Sequence, residues 1–292
     1  MTGVQTCALP IYVVGLYFAY KYIKVSRKSN HAQWELRQAH QMVAGLTEKL
    51  DKLHPYRMVF LHHSVGQGIL DQGGLRDSLL AMGVVVKGAT YGDEIGQETD
   101  IGHWSSKFKN DIDRILTFKA HPDMYYADNT INDIVMFKSC YPNSHIESDG
   151  TEPGEPGSTV RSIANYKASL LSLRETMIGK PDQLFIYVTA PPMAPKGSSP
   201  DAAARAIKFN RWVLDEFLPG YQKESNLDNL QIFDLFGLLS NDEGFLKTEY
   251  RKSPDTDDSH PNELANKQAA ASFVEFFRPR WDERQQQKGA TN

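Results

Sequence analysis

The chain has 292 residues, 40% of them apolar and 11% aromatic, enough for a sizeable core and too many for a disordered protein. A formal charge of −4 leaves no broad basic field, so nucleic acid is not an implied partner of the main domain, and a small-molecule or neutral-polymer substrate fits better. Two cysteines, Cys7 and Cys140, in unrelated contexts make neither a disulfide framework nor a thiolate metal site.

In chain order, residues 1–11 (MTGVQTCALPI) resemble the translation of a sequencing-library adapter and are set aside from the fold, which makes Cys7 non-native. Ile11–Tyr20 is uncharged and apolar, and Lys21, Lys24, Arg27 and Lys28 follow it. Residues 12–28 therefore read as the end of a membrane anchor with a basic flank, making the protein membrane-anchored. The run is shorter than the roughly 20 residues a crossing needs, and an amphipathic helix or a tail is the alternative. Residues 29–54 are expected to be a connecting helix, with Trp34, Leu36, Met42, Val43, Leu46 and Leu50 at helical spacings. His54-Pro55 ends it, because the residue before proline is pushed out of the α region.

Residues 55–280 are then one domain in which short apolar runs alternate with longer amphipathic ones, the pattern of parallel strands joined by crossover helices. Strands are predicted at Arg57–Leu61, Gly83–Lys87, Asp133–Phe137, Gln183–Thr189 and Leu230–Asp234. Helices are predicted at Leu75–Met82, Trp104–Phe118, Val160–Ile178, Pro200–Phe217 and Asn262–Phe277. The fold class is α/β, a three-layer flavodoxin-like sandwich on a five-stranded parallel sheet of order 2-1-3-4-5. Glu147–Ser158, rich in Gly, Pro and acidic residues, is a loop, either a substrate-contacting lid or a solvated excursion. Residues 281–292 are expected to be a frayed polar tail.

Ligands of an open parallel sheet bind beyond the carboxyl ends of its strands, which directs attention to two segments. His62-His63-Ser64-Val65-Gly66-Gln67-Gly68 follows the first strand, and its serine is either a nucleophile or a helix cap. Asp257-Asp258-Ser259-His260-Pro261 follows the last strand. There Asp257, three residues ahead of His260, is within reach of the imidazole and can fix its tautomer; alternatively Asp257 and Asp258 favour a helix amino terminus.

These two segments together resemble the SGNH (GDSL-like) hydrolase superfamily over roughly Tyr56 to Phe277, most specifically in the late D-x-x-H-P. The resemblance implies a Ser64, His260 and Asp257 triad, with an oxyanion hole from the Ser64 and Gly96 amides and the Asn143 side chain. Gly92 and Gly102 are substitutes for Gly96. The sequence departs from the family pattern where His62-His63 replaces glycine-aspartate before the serine, and where Tyr141-Pro142-Asn143-Ser144 lacks the family's glycine and aspartate.

His63 and Lys138, at predicted strand ends, are possible substrate contacts, with an ion pair to a nearby carboxylate as the alternative for Lys138. Cys140 reads as a small buried hydrophobe and Thr189–Met193 as a cleft wall. Adjacent histidines point to opposite sides of an extended chain, so His62 and His63 are not expected to share a metal; neither metal nor cofactor is expected. The resemblance implies a serine esterase acting on a small ester, with an O-acetyl group on a carbohydrate as the expected substrate. O-acyl transfer to a sugar and a catalytically silent binding domain are the rival readings.

Overall fold

The computed structural model describes residues 31–39, 41–42, 45, 48–49, 51–52 and 56–290, with side chains as far as residue 286. The expected anchor, residues 12–28, lies outside them. Residues 31–39 are helical and exposed, and among the described residues no helix is long and apolar enough to cross a membrane.

The second compact unit starts at Lys49, ahead of the expected boundary, because Asp51 accepts a 2.9 Å bond from the buried Lys87. In chain order it contains β1 (Tyr56–Leu61), α1 (Ser64–Asp71), α2 (Leu75–Ala81), β2 (Val84–Ala89) and α3 (Ile101–Thr117). A short hairpin, β3 (Phe118–Ala120) and β4 (Met124–Tyr125), precedes β5 (Ile134–Lys138), α4 (Ile163–Leu171), α5 (Arg174–Ile178), β6 (Leu184–Val188) and α6 (Pro200–Trp212). After a π-helical turn at Val213–Phe217 come α7 (Leu218–Ser225), β7 (Leu230–Phe233), α8 (Leu235–Leu239) and α9 (Glu263–Ala290).

The main sheet is β2-β1-β5-β6-β7 with every pairing parallel, which is the expected 2-1-3-4-5 order of its five strands. Alternation along the strands separates two cores. Met58, Phe60, Ile134, Met136, Leu184 and Ile186 face the layer containing α1, α2, α8 and α9. Val59, Leu61, Val135, Phe137, Phe185 and Tyr187 face the layer containing α3 to α6. With both faces covered, β5, β6 and β7 are buried at every residue, which is why apolar residues dominate them.

Several boundaries differ from expectation. The helix predicted over Val160–Ile178 is two helices, α4 and α5, and α3 starts at Ile101, where Asp100 and His103 form a reciprocal cap. Residues 281–290 of the expected tail are the end of α9, which passes through Pro279, and Trp281 is buried edge-on against Tyr56, ring centroids 4.6 Å apart. The hairpin and α1 and α8 were not among the predicted elements.

One packing contact places the functional region. α1 and the turn that follows it lie so close to α9 that a Cβ on Gly73 would sit 2.5 Å from the Asn266 carbonyl oxygen, and one on Gly68 would sit 2.7 Å from the Asn266 side-chain nitrogen. The helix that begins at Ser64 is thereby held against the helix that begins just after His260.

Candidate active site

Ser64 is the first residue of α1, directly past the carboxyl end of β1, where the first-turn amides have no intrahelical acceptors. Its Oγ is 2.8 Å from His260 Nε2. His260 Nδ1 in turn lies 2.5 Å from Asp258 Oδ1, and the same oxygen accepts the His260 backbone N–H at 2.9 Å. Lys252 Nζ donates to the other carboxylate oxygen at 2.8 Å. Burial is the largest single influence on Asp258 and opposes its charge, but the bonds from Lys252 and from the amide and ring of His260 outweigh it and hold the carboxyl well below the usual range.

The acid beside the imidazole is therefore Asp258, not Asp257, which is exposed and makes none of these contacts. The reason is local geometry. Residues 257–262 form no helix, and in extended chain positions i and i+2 share a side while i and i+3 do not. The segment is clamped at both ends. Asn262 donates to the Glu249 and Arg251 carbonyls at 2.8 Å each, and the buried Ser259 hydroxyl accepts the Ala194 N–H at 3.0 Å.

The expected oxyanion donors are not brought to Ser64 in the expected way. Asn143 donates one bond to Asp100 Oδ1 at 2.6 Å and another to the Cys140 carbonyl at 3.0 Å, and its oxygen accepts the Ile101 N–H at 3.2 Å. Both amide hydrogens are thus committed to fastening the 3-10 turn Tyr141–Ser144 onto the start of α3. The Gly96 N–H donates to the Asp93 carbonyl at 3.0 Å, and its Cβ position is filled by the Thr90 backbone, so this glycine serves a tight turn. Of its substitutes, Gly92 faces His121 and Gly102 faces the Ser158 carbonyl. Among the proposed donors the Ser64 amide at the start of α1 remains, with the Val65 and Gly66 amides of the same helical turn beside it.

His63 is engaged on both ring nitrogens. Nε2 lies 2.9 Å from the Gly96 carbonyl and Nδ1 lies 3.2 Å from Cys140 Sγ, so Nε2–H donates and Nδ1 accepts the thiol. Burial is the main cause that pulls its pKa down. It is not free to bond a substrate. Lys138 is fully buried and donates to the Ser139 carbonyl at 2.8 Å; it neither reaches a substrate nor makes the ion pair offered as its alternative. Burial pushes its ammonium pKa down. Cys140 is half-buried and bonded to His63, not the enclosed hydrophobe expected.

Glu147–Ser158 packs on α4 and the start of α3, with the Glu155 N–H donating to Asn165 Oδ1 at 2.9 Å. Thr189–Met193 is largely buried support: the Thr189 hydroxyl donates to Asp234, and Met193 accepts the Leu246 N–H. The cleft that does open beside Ser64, about 350 Å³, is lined by His260, Gln67, Gln72, Lys252, Asn266 and other residues of α1, α9 and their approaches.

Two tyrosines complete the surroundings and were not singled out from the sequence. Tyr141 meets His260 edge-on at 4.9 Å between ring centroids, and Tyr91 stacks on His63 at 3.9 Å with an interplanar angle of 18°. Tyr91 had no periodicity or motif to mark it. Asp258 and Lys252 lay close to His260 in sequence, and the two-residue spacing of Asp258 was the available signal.

Beyond the carboxyl ends of a parallel sheet, a hydroxyl, an imidazole and a carboxylate stand in file, an arrangement able to carry out nucleophilic acyl transfer. No family model matches the chain, and no curated protein matches it in sequence. Among solved structures it is similar to a GDSL-like lipase from Bacteroides thetaiotaomicron, at 11% identity over 76% of this chain and 88% of that one, TM-score 0.47. It is also similar to a candidate platelet activating factor from Streptococcus pneumonia, at 14% identity over 88% of this chain and 98% of that one, TM-score 0.42.

Proposed function

We propose that the protein is a serine esterase of the SGNH (GDSL-like) kind that removes a small acyl group, an O-acetyl on a carbohydrate, through an acyl-enzyme at Ser64. The observation that carries this reading is the unbroken file from Ser64 Oγ to His260 Nε2 at 2.8 Å and from His260 Nδ1 to Asp258 Oδ1 at 2.5 Å. In the first half-reaction His260 Nε2 takes the Ser64 proton as Oγ bonds to the ester carbonyl carbon. Asp258 holds the tautomer that leaves Nε2 able to accept and stabilises the imidazolium without itself being protonated. The carbonyl oxygen becomes an oxyanion facing the first-turn amides of α1. Collapse breaks the ester C–O bond, and the His260 proton passes to the leaving alkoxide. Water then repeats the sequence on the acyl-enzyme, giving one proton to Nε2, and as the bond from the acyl carbon to Ser64 Oγ breaks, Nε2 passes that proton to Oγ and the carboxylic acid departs.

A silent binding domain is the second reading, favoured by the commitment of the Asn143 and Gly96 amides to the fold. One experiment separates the two. An organophosphonate should form a covalent adduct on Ser64, located by mass spectrometry, and acetyl ester hydrolysis should be lost in Ser64→Ala and His260→Ala. An adduct on another serine, or full activity in Ser64→Ala, refutes Ser64 as the nucleophile; no labelling and no turnover in the wild type refutes the esterase and favours the silent domain.

A further inference from the structure

We infer that Tyr91 is a stacking platform for the pyranose ring of the substrate, an inference that rests on the esterase reading and specifies what the site recognises. The inner face of the ring is covered by His63, the residue immediately before the nucleophile, while the residue as a whole is 58% exposed. With its outer face open to water this large aromatic gains only part of its possible burial in the free protein, and the backbone that carries it is held firmly. The Thr90 N–H donates to Asp93 Oδ2 at 3.0 Å, and Asp93, fully buried, also accepts the Asp123 N–H at 3.0 Å. The tight approach of Gly96 to the Thr90 backbone and the bond from His63 Nε2 to the Gly96 carbonyl fasten the same loop to the residue before Ser64.

The outer face of Tyr91 is thus a flat apolar surface fixed one residue away from Ser64. The C–H face of a pyranose is a flat apolar surface of matching kind, and its edge carries hydroxyls. On the other side of Ser64 from Tyr91's loop, the cleft between α1 and α9 is lined by Gln67, Gln72, Asn266 and Lys252; Gln67 holds Asp71, Asn266 holds Gln72 and Lys252 holds Asp258, and each keeps a further donor or acceptor for a hydroxyl. A platform beside the nucleophile and polar groups beyond it is the composition of a sugar site, in which aromatics supply contact area at low entropic cost and a few polar groups fix orientation. A long acyl chain would call for an apolar channel instead.

The test compares a peracetylated methyl glucopyranoside with ethyl acetate on the wild type, Tyr91→Ala and Tyr91→Phe. Tyr91→Ala should lower the ratio of kcat/KM for the glycoside to that for ethyl acetate about tenfold, mainly through KM, as loss of one aromatic contact implies. Tyr91→Phe, which keeps the ring, should restore most of it. An equal loss on both esters would show that Tyr91 acts only by covering His63, and an unaltered ratio would show no role in recognition; either overturns the inference. Binding of the glycoside to Ser64→Ala, read by saturation-transfer NMR with and without Tyr91→Ala, decides the matter independently of turnover. Binding lost with Tyr91 supports the platform even where the wild type hydrolyses neither ester, which would overturn the esterase reading alone; binding indifferent to Tyr91 overturns the platform.

Discussion

Replacing Asp258 and Asp257 in turn by Asn tests which acid orients the imidazole. In Asp258→Asn the side-chain oxygen can accept from Lys252 Nζ in place of Oδ2, so the loop should keep most of its form, although the His260 N–H gives up the acceptor it has in Oδ1. The amide group, however, can donate to His260 Nδ1, which drives the ring proton onto Nε2, where it faces Ser64 Oγ and cannot accept a proton. A misassigned tautomer costs about 10⁴ in rate where the carboxylate is deeply buried. The Asp258 side chain is 35% exposed, so water offsets part of the loss, and a fall of about 10³ in kcat, about 4 kcal/mol in the barrier, is expected with KM little altered. Asp257→Asn removes no contact to His260 and should remain within about twofold of the wild type. Steady-state hydrolysis of a chromogenic acetate, with thermal melting followed by circular dichroism to confirm folding, measures both. A hundredfold loss in Asp257→Asn alongside a near-wild-type Asp258→Asn would refute the assignment.

His62 is fully buried, and burial lowers its pKa to about 4. The unfolded chain takes up this proton near 6.5 and the folded one only near 4, so the contribution to stability is complete above about 6.5 and is lost as pH falls to about 4. That amounts to about 3 kcal/mol, to be read from urea unfolding across the range; an identical slope in His62→Gln would refute it. Asn143→Ala should cost stability, about 1–3 kcal/mol by chemical denaturation, because it leaves the cap of α3 unpaired. A 10²-fold or greater loss of turnover with unchanged stability would restore Asn143 as an oxyanion donor. Gly73→Ala should destabilise by about 1–3 kcal/mol and also slow labelling of Ser64, since the new methyl meets the Asn266 backbone; unchanged melting and labelling would show that the helices separate freely.

The sheet was legible because β5, β6 and β7 are covered on both faces and are therefore dominated by apolar residues, with Lys138 at the end of β5 and Gln231 in β7 as the exceptions. α1 was harder to see, since Gly66 and Gly68 read as turn residues, whereas they are there for close approach to His62 and Asn266. Ser64 and His260 could be found from their places after the first and last strands. The choice between Asp257 and Asp258 depended on local backbone form, which residue types do not reveal. Asn143 lay where the resemblance implied, yet its hydrogen bonds are spent on Asp100 and Cys140, partners that only tertiary structure identifies.

The bond between Ser64 and His260 joins residues 196 positions apart, and it depends on α1 and α9 meeting through two glycines. During synthesis the hydroxyl emerges early and its base nearly last. A ribosome-bound chain ending before Lys252 would hold the complete sheet and still carry an inert serine, since nothing in it could take the proton. Reactivity at Ser64 would therefore report completion of the whole domain, and the esterase proposed above would be silent until its final helix had docked.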